Sequence, residues 1–418
     1  FIFAIIHYSL NINYINLTML KKKILLGVTG SIAAYKTADL IRHLRQNDYF
    51  VQVIMTQSAK EFITALTLQA LSGNPVLENM WDSSEGNGME HINLSRTADL
   101  ILIAPASANY IAKLANGIAD DLLLNLCLAR RCPLLIAPAM NVEMFNNPAT
   151  QRNINILKKD RILLSGPETG EQACGDIGMG RLINFETLML DIEKSTAKQI
   201  FKDKNILISA GATSEKIDDA RVITNLSSGF MGLSLAKAAY MFGANVTVVL
   251  GRSSYKFPPC IKTIAAHTHS EMLMHINSNI KMNDIYISTA AISDYKPQPI
   301  DGKIKKTKSK ITIDFLKTED ILGTIGLNNS DAFLVGFAAE SEDLIKNAKK
   351  KLVEKKLDVI VANLIKESMG KLSTKITIVD KKNNEIVLKE DKKNNLSIFI
   401  LEHIYKIYSE EKNHEFIN

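Results

Sequence analysis

Short apolar runs recur along the first half of the chain, and stretches of helical length separate them. Residues 23–28, 50–55, 98–104 and 132–137 form nearly unbroken apolar runs. Runs of this kind are typical of parallel strands that are buried on both faces of a sheet. The pattern therefore predicts a doubly wound α/β domain in the first half.

The same alternation starts again after a polar, charged segment. Strands are predicted at 205–209, 245–250 and 284–289, with an alanine-rich helix ending near Phe242 and a last helix at 396–408. Because 418 residues are too many for one compact core, we expect two Rossmann-like domains. The predicted boundaries are an N-terminal extension without function at 1–18, a first domain at 19–190, a linker at 191–204 and a second domain at 205–418.

The distribution of positive charge along the chain indicates which class of ligand the protein binds. Residues 301–393 hold 20 Lys and Arg against 15 Asp and Glu, and the whole chain has a formal net charge of +6. This local excess suits a phosphate-rich small substrate better than a nucleic acid, because no basic run is interleaved with aromatic residues. A solvated lysine-rich face would still explain most of these lysines.

The cysteines and the apolar first residues indicate where the protein is located and whether it binds zinc or a membrane. The four cysteines show no C-x-x-C spacing, so neither a zinc site nor a disulfide framework is indicated, and a cytoplasmic location is expected. The apolar opening at residues 1–6 is far shorter than the roughly 20 residues that a membrane span requires. We therefore expect no membrane partner.

Small polar residues follow each predicted strand of the first half. They occur in Gly27–Lys36, at Thr56, in the stretch from Ser107 to Asn109, and around Asn141. Ligands of open α/β sheets bind at this edge, so the pattern favours a nucleotide-like cofactor. The first turn is neither a Walker loop nor a G-x-G-x-x-G fingerprint, which leaves ATP or NAD without motif support. A turn without a ligand, and Asn141 as a simple helix N-cap, remain alternatives.

His91 follows a polar, glycine-rich segment at 73–90. At the end of such a loop, a histidine suits a base or a carboxylate partner. A lone histidine is more often structural or merely exposed.

Four stretches resemble the flavin-dependent cysteine decarboxylases: Gly27–Lys36, Ala104–Leu122, Pro138–Phe145 and Gln172–Arg181. From Met19 to about Tyr408 the chain resembles the bacterial bifunctional proteins of coenzyme A biosynthesis, in which phosphopantothenoylcysteine decarboxylase is fused to phosphopantothenate–cysteine ligase. The resemblance implies a flavodoxin-like first domain, with His91, Asn141 and Cys174 as decarboxylase residues and Arg181 binding substrate. It implies FMN contacts at Gly30, Ser31, Thr56, Ser107, Ala108, Asn109 and Met140.

The resemblance also places a ligase in the second domain. It assigns Arg221 to substrate binding, Asn225 to catalysis, and Lys303, in the loop Gly302–Lys306, to both catalysis and CTP. The other implied CTP contacts are Ser288, Thr289, Ala290, Asp294, Glu319, Asp320, Ile321, Leu322, Phe337, Lys351 and Lys355. This chain departs from the family at Ala212 and Glu319, which replace a frequent Pro, at Phe230, which replaces a frequent Lys, and at Phe145, which replaces a Trp or Tyr.

The implied chemistry has two steps. CTP activates the carboxylate of 4'-phosphopantothenate so that cysteine can displace CMP, and FMN then serves oxidative decarboxylation and reduction to 4'-phosphopantetheine. Mg²⁺ is expected with CTP, although the sequence does not identify its ligands. The family also implies decarboxylase trimers and ligase dimers. The alternatives are an FMN-binding regulatory protein without turnover, which the presence of all three decarboxylase residues disfavours, and an NAD-linked dehydrogenase, which lacks its fingerprint.

Overall fold

The structure is a computed structural model that describes residues 21–79, 90–305, 311–328 and 331–415; within these, the side chains of residues 90–92 and 413–415 are not described. The chain divides into two compact units, Phe1–Thr196 and Ala197–Asn418. The predicted extension at 1–18 lies outside the described residues. No helix in the described ranges is both long enough and apolar enough to cross a membrane.

The first unit contains a five-stranded parallel sheet of order β2-β1-β3-β4-β5 and a separate hairpin, β6-β7. Its strands are β1 Lys23–Val28, β2 Phe50–Met55, β3 Leu100–Ala106, β4 Leu134–Pro138, β5 Leu163–Leu164, β6 Glu168–Glu171 and β7 Ile177–Arg181. Its helices are α1 Thr37–Gln46, α2 Ala65–Ser72, α3 Glu90–Thr97, α4 Ala108–Ala115, α5 Leu122–Ala129, α6 Val142–Asn146, α7 Pro148–Lys159 and α8 Phe185–Thr196.

Both faces of this sheet are buried. Along β1, Ile24 and Leu26 pack into one hydrophobic cluster, and Leu25 packs into a second cluster on the opposite face. Successive side chains of a strand point to opposite faces, so an apolar run without alternation requires a helical layer on each side. The predicted doubly wound fold is confirmed in this unit.

The second unit contains an eight-stranded sheet of order β12-β11-β8-β13-β16-β17-β18-β19. Its strands are β8 Asn205–Ala210, β9 Ser214–Lys216, β10 Val222–Thr224, β11 Asn245–Leu250, β12 Lys262–Ala265, β13 Ile285–Ser288, β14 Tyr295–Pro297, β15 Phe315–Lys317, β16 Phe333–Glu340, β17 Val359–Leu364, β18 Ser373–Asp380 and β19 Glu385–Lys392. Its helices are α9 Phe230–Met241, α10 His269–Asn279, α11 Ile321–Leu327, α12 Leu344–Glu354, α13 Ile365–Ser368 and α14 Lys393–Glu415.

The first six strands of this sheet have the Rossmann order 3-2-1-4-5-6 when they are numbered along the chain. β18 and β19 extend the sheet as antiparallel strands, which the sequence pattern did not predict. Ile206 and Ile208 of β8 face one hydrophobic cluster, and Leu207 faces another. The second unit is therefore also doubly wound, as predicted.

Three predicted bounds are wrong. The strand predicted at 98–104 spans Leu100–Ala106, and its pairing with β4 shifts register around Pro105, which cannot donate a ladder bond. The last helix spans Lys393–Glu415, because Leu396, Ile400 and Ile404 bury one long stripe against the sheet. Residues 191–196 of the predicted linker belong to α8, since Ile192 is fully buried in the core.

Candidate active sites

The first unit has its topological switch point between β1 and β3. In a parallel sheet of this order, a crevice opens there at the carboxyl edge. The Thr29 hydroxyl donates to the carbonyl oxygen of Pro105 at 2.7 Å and accepts from the backbone N of Ser107 at 2.9 Å. Thr29 is buried, so these two bonds fix the ends of both strands at the base of the crevice.

Gly30 and Ser31 form a narrow turn beside the end of β2. A Cβ added at Gly30 would lie 2.7 Å from the Cβ and Oγ of Ser58, so the turn admits only glycine without displacing that residue. The Ser31 hydroxyl donates to the carbonyl oxygen of Ala139 at 3.1 Å. The Thr56 hydroxyl lies 3.2 Å from that of Ser58. The ends of β1, β2 and β4 thus line one edge, as predicted.

Helix α4 begins at the same edge. Ser107 is its N-cap and accepts from the backbone N of Tyr110 at 3.3 Å. Ala108 and Asn109 are its first two residues, whose N–H groups have no partner within the helix. Free N–H groups at a helix start are suited to a phosphate.

Asn141, Cys174 and Asp176 form a cluster of hydrogen bonds, which we call the hairpin cluster. Asn141 Nδ2 donates to Asp176 Oδ2 at 2.8 Å and to Cys174 Sγ at 3.4 Å. Cys174 Sγ donates to the same Asp176 oxygen at 3.2 Å. The bonds from Asn141 and then Cys174 lower the pKa of the Asp176 carboxyl below its ordinary value. Asp176 is therefore an anion at neutral pH.

Asn141 also caps α6, as the simpler interpretation of the sequence proposed. Its Oδ1 accepts from the backbone N of Glu143 at 2.8 Å. Since the oxygen is occupied by the cap, the amide nitrogen points toward the hairpin. The cap and the functional role are thus compatible, because the cap sets the direction of the donor.

The β6-β7 hairpin lies close to the strand end that carries Asn141. Met140 N donates to the carbonyl oxygen of Gly180 at 2.9 Å, and Val142 N donates to Gln172 Oε1 at 3.0 Å. A Cβ added at Gly178 would lie 2.5 Å from Val142 Cγ2, so glycine is needed for this approach. Cys174 itself lies at the exposed turn of the hairpin.

Two predicted residues of the first unit are not joined to the hairpin cluster by the described contacts. Arg181 ends β7, opposite Glu168, and is partly exposed. His91 is the second residue of α3, and its side chain lies outside the described residues, as does most of the predicted loop before it.

A cavity of about 450 Å³ lies at the carboxyl ends of β13 and β16 in the second unit. Ten of the twelve predicted CTP contacts line it: Ser288, Thr289, Ala290, Asp294, Glu319, Asp320, Ile321, Leu322, Phe337 and Lys355. Gly229, which the sequence suggested for close approach by a ligand, lines it as well, and so do Met231, Asn363 and Lys393, for which no role was predicted. Phe230 is also part of the wall, and its ring packs against that of Tyr255 at a tilt of 43°, with centroids 4.8 Å apart.

Lys351 and Lys355 have different partners in the structure. Lys355 forms an ion pair with Asp320 at 2.8 Å, on the wall of the cavity. Burial alone would raise the pKa of the Asp320 carboxyl. Hydrogen bonds from Lys355 and from Gly323 N outweigh this effect, so the pKa lies below its ordinary value. Lys351 forms an ion pair with Glu340 at 2.6 Å and is not among the lining residues.

Lys303 lies outside the cavity wall, on a loop that Asp218 fixes. The Asp218 carboxylate accepts from the backbone N of Ile304 at 3.1 Å and pairs with Arg221 at 2.5 Å. Arg221 also donates to the carbonyl oxygen of Ile304 at 3.4 Å. A buried carboxylate that the sequence did not single out, Asp218, thus joins Arg221 to the loop that carries Lys303.

Asn225 lies beside the strand end that carries the cavity wall. Its Nδ2 donates to the carbonyl oxygen of Ala291, a lining residue, at 3.0 Å. The amide of Asn225 is therefore oriented next to the cavity.

Comparison with known proteins identifies the family. The "Flavoprotein" family model matches residues 14–197, and the model of the "DNA/pantothenate metabolism flavoprotein C-terminal domain" matches residues 201–408. The chain is 46% identical over 350 residues to the coenzyme A biosynthesis bifunctional protein CoaBC of Vibrio vulnificus (strain YJ016), which covers 83% of this chain and 87% of the relative. It is 42% identical over 348 residues to the protein of that name from Escherichia coli (strain K12), with 82% and 86% covered.

The chain belongs to the family of coenzyme A biosynthesis bifunctional proteins. As a member of this family it is an enzyme with a decarboxylase step and a ligase step, and its cofactor is a flavin. The regulatory alternative is not favoured. Among solved structures, the C-terminal domain of a CoaBC protein aligns at 32% identity and a TM-score of 0.45, over 51% of this chain and 100% of that chain.

The described part of the chain shows no site at which protein side chains alone would hold a metal ion. No group of three or more His, Cys, Asp or Glu side chains there has the geometry to hold an ion. Mg²⁺ usually keeps several waters and binds substrate phosphates with only one or two carboxylates. Asp294 and Glu319, both on the cavity wall, would suit that smaller role.

Proposed function

We propose that the first unit decarboxylates phosphopantothenoylcysteine with FMN and that the second unit makes this substrate from 4'-phosphopantothenate, cysteine and CTP. The observation that carries the first assignment is the hairpin cluster beside the flavodoxin-like strand edge. The second assignment rests on the cavity at the carboxyl ends of β13 and β16, which most of the predicted CTP contacts line.

The strand edge of the first unit suits FMN in both shape and chemistry. Gly30 leaves a narrow space that any side chain would fill. Hydroxyl groups of Ser31 and Thr56 and the first N–H groups of α4 suit a ribityl chain and a phosphate. When bound, FMN would supply a reversible two-electron oxidation of the substrate thiol, which makes loss of CO₂ favourable.

The residues of the hairpin cluster would bind the substrate and supply a proton. The Asn141 amide nitrogen donates to a carboxylate, that of Asp176, and would donate in the same way to the carboxylate of the substrate. The Cys174 thiol is a proton donor, which a thioether or a methyl group is not. In this proposal, Cys174 protonates the carbon that has lost CO₂.

In the second unit, the substrate carboxylate would attack the α-phosphorus of CTP and release pyrophosphate, forming an acyl-cytidylate. The amine of cysteine would then attack the acyl carbon, and CMP would leave. Lys303 would neutralise negative charge that develops on the phosphates, as a mobile cation on a fixed loop. Asn225 would orient the acyl group, since its amide is held next to the cavity.

The experiment uses the purified full-length protein. With 4'-phosphopantothenate, cysteine and CTP supplied, we expect CMP release, then CO₂ release, from a protein with flavin absorbance. A folded protein that releases no CMP would contradict the ligase assignment, and CMP release without CO₂ would contradict the decarboxylase assignment. Trimers, dimers and a cytoplasmic location stay predictions.

A further inference from the structure

Lys393 is a buried lysine on the wall of the second-unit cavity. It is 5% exposed and is the first residue of α14. Its Nζ donates to the carbonyl oxygen of Ser368 at 2.9 Å, and Ser368 also lines the cavity. A charged group at this position needs an electrostatic explanation, because lysine is almost never fully buried without a partner.

The described surroundings do not balance this charge. None of the ion pairs among the described residues includes Lys393, and burial alone lowers the pKa of its ammonium group. The nearest acidic residue in the chain that precedes α14, Asp391, accepts from the backbone N of Lys392 and from Asn395 instead. The first turn of α14 contains no acidic residue.

Helix geometry makes the position still less favourable for a cation. The start of a helix carries partial positive charge, and α14 is 23 residues long. A second helix, α9, begins on the wall of the same cavity, where its N-cap Gly229 has a φ of 77° and its first N–H group, that of Phe230, donates to Ser228 Oγ at 3.4 Å. Two helix starts and a buried ammonium group thus lie around one space.

We propose that Lys393 binds a phosphate group in this cavity. The proposal rests on the proposed ligase function for the identity of the phosphate, which belongs either to the triphosphate of CTP or to 4'-phosphopantothenate. An anion there would offset the buried charge and both helix starts at once. Phe230, at the start of α9 on the same wall, packs against Tyr255 and supplies no charge, and the other lysines among the lining residues are Lys317 and Lys355.

The test compares Lys393→Met with Lys392→Met. Methionine keeps the length and packing of the lysine stem, and Lys392 is the exposed neighbour, so both variants lose one positive charge from the same place in the chain. Calorimetric titration of the full-length protein with tripolyphosphate, CTP, cytidine and 4'-phosphopantothenate measures the effect. The melting temperature of each free variant is recorded as well.

We expect Lys393→Met to weaken tripolyphosphate binding by at least about tenfold, while Lys392→Met changes it less than about twofold. If the phosphate belongs to CTP, binding of CTP weakens similarly and binding of cytidine does not. If it belongs to the other substrate, binding of 4'-phosphopantothenate weakens instead. The free Lys393→Met protein should melt no lower than the wild type, because a buried unpaired charge has been removed.

Unchanged affinities for all the phosphate ligands in folded Lys393→Met would overturn the proposal, and so would a wild-type protein that binds none of them. Wild-type protein that binds tripolyphosphate through Lys393 but does not bind CTP would refute the ligase assignment and leave the anion site standing. If Lys393→Met does not fold, Lys393→Gln is titrated with the same ligands, and unchanged affinities in that variant overturn the proposal equally.

Discussion

The hairpin cluster of the first unit and the buried charges of the second unit are held in opposite ways. In the hairpin cluster, Cys174 and Asp176 are exposed, and the bonds that orient them come from one another and from Asn141. In the second unit, Lys393 and Asp218 are almost fully buried; Lys393 donates to a backbone carbonyl, and Asp218 accepts from backbone N–H groups and pairs with Arg221. Exposed polar contacts contribute little to stability, whereas buried charges cost free energy unless they are paired.

The contrast predicts different consequences of mutation. Variants of the hairpin cluster should change the chemistry of the first unit with little effect on folding, because the groups are already solvated. Variants of buried charges in the second unit should change ligand affinity and melting temperature together. The Lys393 variants described above test the buried side of this comparison, and the experiments below test the rest of it, from the largest expected effect to the smallest.

Replacing Cys174 with alanine should stop the decarboxylase cycle halfway. CO₂ release should continue, but formation of saturated 4'-phosphopantetheine should fall by about 10²- to 10⁴-fold, since the proton donor is gone. Mass spectrometry after anaerobic single turnover should find an enethiol product that lacks two hydrogen atoms. Cys132→Ala is the control, because it removes a partly buried thiol from another part of the same unit. Near wild-type formation of the saturated product would show that Cys174 is only a filler.

Lys303→Gln should impair the ligase and spare the decarboxylase. We expect CMP release to fall by about 10²- to 10³-fold, as is usual when one group that stabilises transition-state charge is lost. Decarboxylation of supplied phosphopantothenoylcysteine should change less than about twofold, because the two candidate sites lie on separate sheets. Lys305→Gln, in the same loop and also exposed, is the matched control. Equal loss of both activities in folded protein would refute the two-site assignment.

These two predictions concern residues that were identified from the sequence before the structure was considered. Parallel strands buried on both faces produce a strong apolar signal, so the central strands of both sheets were predicted, whereas the outer strands of the second sheet and the short hairpin strands were not. Short motifs such as the stretch around Asn141 follow the chain directly, so their position at a strand end was predictable too.

The remaining features depend on contacts between distant parts of the chain. Lys393 belongs to a lysine-rich segment, and its burial depends on how α14 packs against α9 and on its bonds to Ser368 and Leu372. Asp218 is one acid among many until the loop after Gly302 folds back onto it. Asp176 lies in a recognised motif, but its bonds to Asn141 and Cys174 require the hairpin. No local pattern in the sequence encodes these pairings.

Asp176→Asn should have a smaller effect than either variant above. The amide keeps an acceptor for Cys174 and Asn141 but removes the negative charge that strengthens both bonds. We expect kcat of the decarboxylase to fall by about tenfold while the melting temperature stays the same, because Asp176 is exposed. Glu171→Gln, at the end of β6, removes a charge from the same hairpin and serves as the control. A clear fall in melting temperature would contradict the solvated character assigned to the hairpin cluster.

The smallest effect is expected when the two units are separated. All the candidate FMN contacts lie in the first unit, so residues 19–197 expressed alone should bind FMN with an affinity within about twofold of the full-length protein. A fragment that ends at 190 cuts through α8 and removes Ile192, which is fully buried, so it should be less stable by about 1.5–3 kcal/mol. Flavin fluorescence measures the first quantity and urea unfolding the second. If folded 19–197 stayed colourless and could not be reconstituted with FMN, the flavin site would require more of the chain than the strand edge described for this unit.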